Sequence, residues 1–218
     1  MTELRTEEEQ IEVIKNWWKE NGRSTVFGVL AAIAIVLGWR GWQQSIQNAA
    51  EQASVLYQNM QAAIVVQPGQ TLDEEKRKTA EHLAGQLKTD FGDLAYAQYA
   101  ALWLAKSAVE TGNLSLAQTE LEWVLERKPM EGIARITELR LARVLLAQDK
   151  AEEALKYLNK EPAEGFQASY YEVKGDVYEA MGRTDEAREA YTKAGSSSQG
   201  GQRPILTMKL DNLAAEDN

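Results

Sequence analysis

A chain of 218 residues has room for one good-sized domain and an anchor, and its formal net charge of −9 excludes long-range attraction to nucleic acid or anionic lipid. It contains no cysteine, which excludes disulfide staples and thiolate chemistry, and its four prolines leave helix largely unobstructed. The charge is uneven: residues 1–23 hold four basic and six acidic side chains, Arg40 stands alone between 24 and 48, and the remainder holds 19 basic and 27 acidic.

Residues 6–20 read as an amphipathic helix. Thr6 and Glu9 have capping-box spacing, and Ile11, Ile14 and Trp18 share one face. Such a helix lies at a membrane surface or continues into a span. Glu7 to Glu9 give it an acidic feature suited to docking a cytoplasmic protein.

From Ser24 to Trp39 no residue is charged, which is short for a spanning helix. The flanks extend it: Trp17 and Trp18 on one side, Trp39 and Trp42 on the other, are positioned as interface belts. From Trp18 to Trp39 a helix rises about 31 Å, the thickness of the hydrocarbon layer. No small-x-small cleavage site follows the apolar run, so the segment reads as an uncleaved signal anchor. The span lacks a GxxxG pattern, so close self-dimerisation through it is not indicated. Lys15, Lys19 and Arg23 precede it and only Arg40 follows closely, which predicts a cytoplasmic N-terminus and an exported C-terminal domain, the type II arrangement.

Next come two segments, 45–66 and 72–88, read as an irregular helix pair around the turn at 68–70, with Thr71 and Glu74 as a capping box. Beyond them an internal repeat emerges. In its last copy Gly175, Tyr178, Gly182, Ala187, Tyr191 and Ala194 stand at tetratricopeptide spacing, small residues where helices cross and aromatics where repeats meet. Lys174 departs from the preferred Leu, and no proline closes the copy. Ala154 lies 33 residues before Ala187, with Leu141, Ala142, Leu145 and Leu158 in register and Asp149 in place of the turn glycine. Ala117 lies 37 residues earlier still, with Leu104, Ala105, Gly112, Leu121 and a closing Pro129. Ser115 with Gln118, Asp149 with Glu152, and Thr184 are the expected starts of the second helices. Gly195 to Pro204 reads as a flexible connection, with Pro204 opening a last helix.

The expected architecture is therefore all-α. A cytoplasmic tail (1–23) and a transmembrane signal anchor (24–42) precede an irregular helix pair (43–90). Three tetratricopeptide-like repeats (91–195) and a linker with a C-terminal helix (196–218) complete a solenoid of about four helix pairs.

This order of an acidic N-terminus, a Trp-flanked signal anchor, an irregular helix pair and about three tetratricopeptide units resembles the YfgM family, ancillary subunits of the SecYEG translocon in Gram-negative bacteria. The resemblance covers nearly the whole chain. It implies an inner-membrane protein with a periplasmic domain that works beside the chaperone PpiD and helps pass exported chains to periplasmic chaperones. It also implies a tail that restrains the response regulator RcsB. The alternative readings are a tetratricopeptide scaffold in envelope assembly and a regulator of a cytoplasmic signalling protein acting through the N-terminal tail.

No catalytic set is legible. His82 is the only histidine and has no cysteine or nearby aspartate. Ser196 to Ser198 lack a base, and Glu152/Glu153 and Asp185/Glu186 fit the first turns of helices. Neither a cofactor, a metal nor a small-molecule substrate is expected. A protein-binding face is. By register the first helices of the pairs offer Tyr99, Leu102, Lys106 and Val109, then Ile136, Leu139, Arg143 and Leu146, then Ser169, Glu172, Asp176 and Glu179. That face is apolar in the middle and acidic at its far end, open to a client or partner helix unless the last helix, around Leu206 and Leu210, fills it.

Overall fold

The computed structural model describes residues 7–66, 71–160, 162, 165–197 and 204–216. These residues form nine α-helices and no strand, the all-α class the sequence predicts. The chain divides into two units, 1–52 and 53–218.

The first unit is the part of α1 (Glu7–Ile64) that ends at Gln52; the last turns of α1 belong to the second. The tail helix continues into the apolar segment without a break, and 45–64 is the end of the same helix rather than a separate element. The reason is local: no proline interrupts it, and its isolated glycines each cost only about 1 kcal/mol against alanine. Polar side chains ahead of the apolar run turn back onto the helix. The Thr25 hydroxyl donates to the Asn21 carbonyl at 3.0 Å, and the Asn21 amide donates to the Trp17 carbonyl at 3.2 Å. Phe27 and Ile35 are each 72% exposed, and apolar side chains stand exposed all round the helix from Val26 to Leu37. Water would penalise that surface and lipid would not. Among the described residues this is the one helix long and apolar enough to cross a membrane. Trp17 and Trp18 lie 6.4 Å apart between ring centroids, and Trp39 and Trp42 lie 5.0 Å apart. Thr6, half of the expected capping box, lies outside the described residues.

In the second unit, α2 (Glu74–Asp90) and α3 (Ala95–Glu110) close with the last turns of α1 over a cluster centred on Met60, Ala84, Leu87 and Ala100. Three helical hairpins follow: α3 with α4 (Leu114–Glu126), α5 (Glu131–Leu146) with α6 (Ala151–Lys156), and α7 (Gln167–Ala180) with α8 (Thr184–Ser196). Then α9 (Pro204–Glu216) packs on α8. Their shared core runs from Ala105 and Leu121 through Leu141 and Leu145 to Val173 and Val177.

The repeat is clearest in the backbone of its turns. Gly112, Asp149 and Gly182 all adopt the left-handed conformation, with φ of 78°, 60° and 69°. In each turn the next residue's N–H reaches back to close the helix: Asn113 to the Ala108 carbonyl (2.7 Å), Lys150 to Leu145 (2.9 Å), Arg183 to Tyr178 (2.9 Å). This is the Schellman ending, repeated three times. Asp149 thus takes the conformation of the glycine it replaces, at the cost a Cβ imposes there. Gly112 and Gly182, expected as packing residues, are instead exposed, and a Cβ on either meets nothing within 4 Å. Their contribution is the turn.

The same turns displace the expected caps. The residue after the left-handed position becomes the cap, so α4 is capped by Asn113, whose side chain accepts from the Leu116 N–H at 3.1 Å, and not by Ser115. Lys150 and Arg183 precede α6 and α8 without a side-chain cap, which removes that part from Asp149 and Thr184. For α2 the cap is Asp73, accepting from the Lys76 N–H at 2.8 Å, and not Thr71. The turn at 68–70 and most of the 195–204 connection lie outside the described residues, while Gly195 and Ser196 belong to α8.

Small residues sit where helices cross. Ala117, Ala142, Ala154 and Ala187 have no exposed surface, and Ala105 has 3%. At Gly175 a Cβ would run into the ring of Tyr191, so only glycine lets α7 and α8 approach this closely. Tyr178 is half-buried against the cluster formed by Ala187, Tyr191, Ala194, Leu206 and Leu213.

Candidate protein-binding groove

Between the first helices of two successive repeats the structure opens a cavity of ≈ 390 Å³. Its walls are Leu102, Ala105 and Val109 of α3 and Val144 with Ala147 at the end of α5, and its floor is Leu114 and Leu121 of α4. Lys106, Glu110, Arg140 and Arg143 stand around the apolar lining. α4 packs against both α3 and α5, and the small side chains of Ala105 and Ala147 line the space between them. Val109 is 46% exposed, a large apolar side chain offered to solvent at the groove mouth.

Of the eight residues expected on the apolar part of the face, the structure brings Leu102, Lys106, Val109 and Arg143 together. Tyr99, one turn before Leu102, instead packs beside Tyr57 with ring centroids 6.1 Å apart, and Tyr57 is also 5.5 Å from Tyr96. Ile136 is exposed outside the cavity lining. Leu139 requires correction: it is a core residue bordering a narrow crevice with Tyr157, Pro162, Phe166 and Tyr170, and Leu146 is half-buried against the same core. Tyr157, Phe166 and Tyr170 stand against the Leu139 side of α5, and the stripe facing the groove is Arg140, Arg143, Val144 and Ala147, one position on from the expected one. Arg140 and Val144 were missed, although their i, i+4 spacing was legible in the sequence.

The acidic end of the face is already occupied. Lys209 of α9 pairs with Asp176 and lies 3.7 Å from Glu172, while the Tyr191 hydroxyl stands 2.8 Å from an Asp176 oxygen and 2.5 Å from a Glu179 oxygen, which share its single proton. Burial, then the two carboxylates, push the Tyr191 phenol far above its usual range, so it remains a neutral donor. Leu206 and Leu213 anchor α9 on Ala187, Tyr191 and Ala194. The last helix therefore closes the C-terminal repeat, and the lining of the apolar cavity is drawn from α3, α4 and α5.

Residue 15 to residue 215 match the family model of the tetratricopeptide repeat-like domain. A protein of Haemophilus influenzae named an ancillary SecYEG translocon subunit is 30% identical over 209 residues, covering 95% of this chain and 97% of that one. A protein of Escherichia coli K12 with the same name is 30% identical over 210 residues, again with 95% and 97% covered. The chain belongs to the family of ancillary SecYEG translocon subunits. A third member, from Neisseria gonorrhoeae, is 28% identical over 212 residues. No solved structure matches the chain. Because the family model begins at residue 15, ahead of Ser24, the apolar helix belongs to the shared family domain together with the repeats.

The residues considered for chemistry are spread apart. His82 is exposed on α2, the Ser196 hydroxyl donates to the Lys193 carbonyl at 3.0 Å, and Glu152/Glu153 and Asp185/Glu186 occupy the first turns of α6 and α8. Among the described residues no three His, Cys, Asp or Glu side chains are grouped to hold a metal ion.

Proposed function

We propose that this chain is a non-enzymatic, membrane-anchored interaction module of the bacterial inner membrane that accompanies the SecYEG translocon. Its repeat unit would stand in the periplasm, where it takes apolar segments of exported chains or of a chaperone such as PpiD. The observation that carries the reading is the open apolar cavity between α3 and α5 in a chain whose described residues include a membrane-length helix. The relatives' shared name supports the partner, and Lys15, Lys19 and Arg23 ahead of the span support the orientation.

The test is isolation of the tagged full chain in mild detergent with detection of SecY. The wild-type chain should recover it. Val109→Asp combined with Ala147→Asp, both at exposed positions of the lining, should cut recovery of the partner at least tenfold without lowering the melting temperature. Losing burial of an apolar anchor costs about 1.5–3 kcal/mol, which is that factor or more. Wild-type chain that never recovers SecY contradicts the partner; unchanged recovery by the double variant contradicts the groove and transfers the contact to the span.

A further inference from the structure

The groove is an apolar hollow in an acidic protein, yet three of the four charges around it are cations: Lys106, Arg140 and Arg143 against Glu110. Lys106 lies 3.6 Å from Glu110, and both are exposed. Arg140 and Arg143 are exposed at i, i+3 on α5, and among the described residues neither has a carboxylate within ion-pair distance. Three other arginines of the same unit pair with carboxylates, Arg135 with Glu131 and Glu138, Arg183 with Glu186 and Arg188 with Asp185, while Arg127 lies over the Trp123 ring. Two exposed guanidiniums beside an apolar cavity are complementary to carboxylates on whatever enters it.

The unit also shows how a helix seats on it. In α9, Leu206 and Leu213 supply the apolar anchors and Lys209, between them at i+3, bonds the acidic residues of α7. The neighbouring groove offers the same combination with the sign reversed. We infer that the groove takes an amphipathic helical segment of a partner protein, with apolar anchors about two turns apart and carboxylates between them, a specification that rests on the groove being the binding surface. A second copy of this chain does not meet it through α9, since Lys209 would then face Arg140 and Arg143.

The probe is a pair of short fluorescent helical peptides with leucines at i and i+7, carrying either glutamates or lysines at i+3 and i+4. Their binding to the full chain in detergent micelles is read by anisotropy. The glutamate peptide should bind at least tenfold more tightly than the lysine peptide. Arg140→Glu with Arg143→Glu should reverse that preference, and Val109→Asp should weaken both peptides. The assignment is overturned if neither peptide binds, or if the two bind alike to the wild-type chain. Loss of both on Val109→Asp, with no response to the arginine reversal, overturns the acidic chemistry and leaves the apolar groove in place. Displacement of the glutamate peptide by phosphatidylglycerol more effectively than by unlabelled peptide assigns the cations to lipid and overturns it too.

Discussion

A methyl group at Gly175 has no room, because the ring of Tyr191 lies where it would sit. Gly175→Ala should therefore lower stability by about 1–3 kcal/mol, the usual cost of overpacking, in a thermal melt of the full chain in detergent. The left-handed turns behave oppositely. Asp149 carries a Cβ at φ 60°, where Gly112 and Gly182 carry none. Asp149→Gly should stabilise by up to about 1 kcal/mol, and Asp149→Val should destabilise by about 1–2 kcal/mol. Equal melts for all three would remove the argument that these turns define the repeat. Tyr191 adds a pH dependence. Its phenol is raised above the unfolded value of about 10, so its contribution to stability is complete below that pH and is lost as pH rises beyond it. The melting temperature should fall above about pH 10. Tyr191→Phe should lose about 0.5–1.5 kcal/mol near neutrality and flatten the alkaline fall.

Among the elements, α9 is anchored by Leu206 and Leu213, with half-buried Leu210 beside them, and by the cation of Lys209. Lys209→Glu would place a third carboxylate beside Asp176 and Glu172 and should cost about 2 kcal/mol. The loss should be confined to α9, appearing as faster amide exchange there while α3 to α5 keep their protection. Uniform loss of protection would mean that α9 is integral to the core rather than a cap. Such elements were legible to different degrees. The hairpins and turns could be read because a left-handed residue followed by a small residue five positions on leaves a local signature, as at Gly112 and Ala117. The caps could not, because Asn113, Lys150 and Arg183 are selected by how the preceding helix closes. The facing stripe of α5 was read one position off for a non-local reason: Tyr157, Phe166 and Tyr170, all distant in sequence, border Leu139. The first helix of the expected pair, 45–66, is the end of α1 because nothing in the sequence from Trp39 to Ser54 stops a helix.

At the scale of the whole molecule, the span and the repeats carry separate parts of the account. The basic residues ahead of Ser24 predict that a reporter active only in the periplasm works when fused after residue 218 and is silent when fused ahead of residue 1. The inverse pattern would place the groove in the cytoplasm and end the proposed role. The most direct test of the central claim is photocrosslinking in living cells, with a photoreactive residue at Val109 in the groove mouth and, as control, at exposed Glu153 on α6. The account predicts discrete crosslinks from position 109 to translocon components or their associated chaperone, abolished by Arg140→Glu with Arg143→Glu and absent from position 153. Equal crosslinking from both positions, or none from 109 while the chain still co-isolates with SecY, would contradict it.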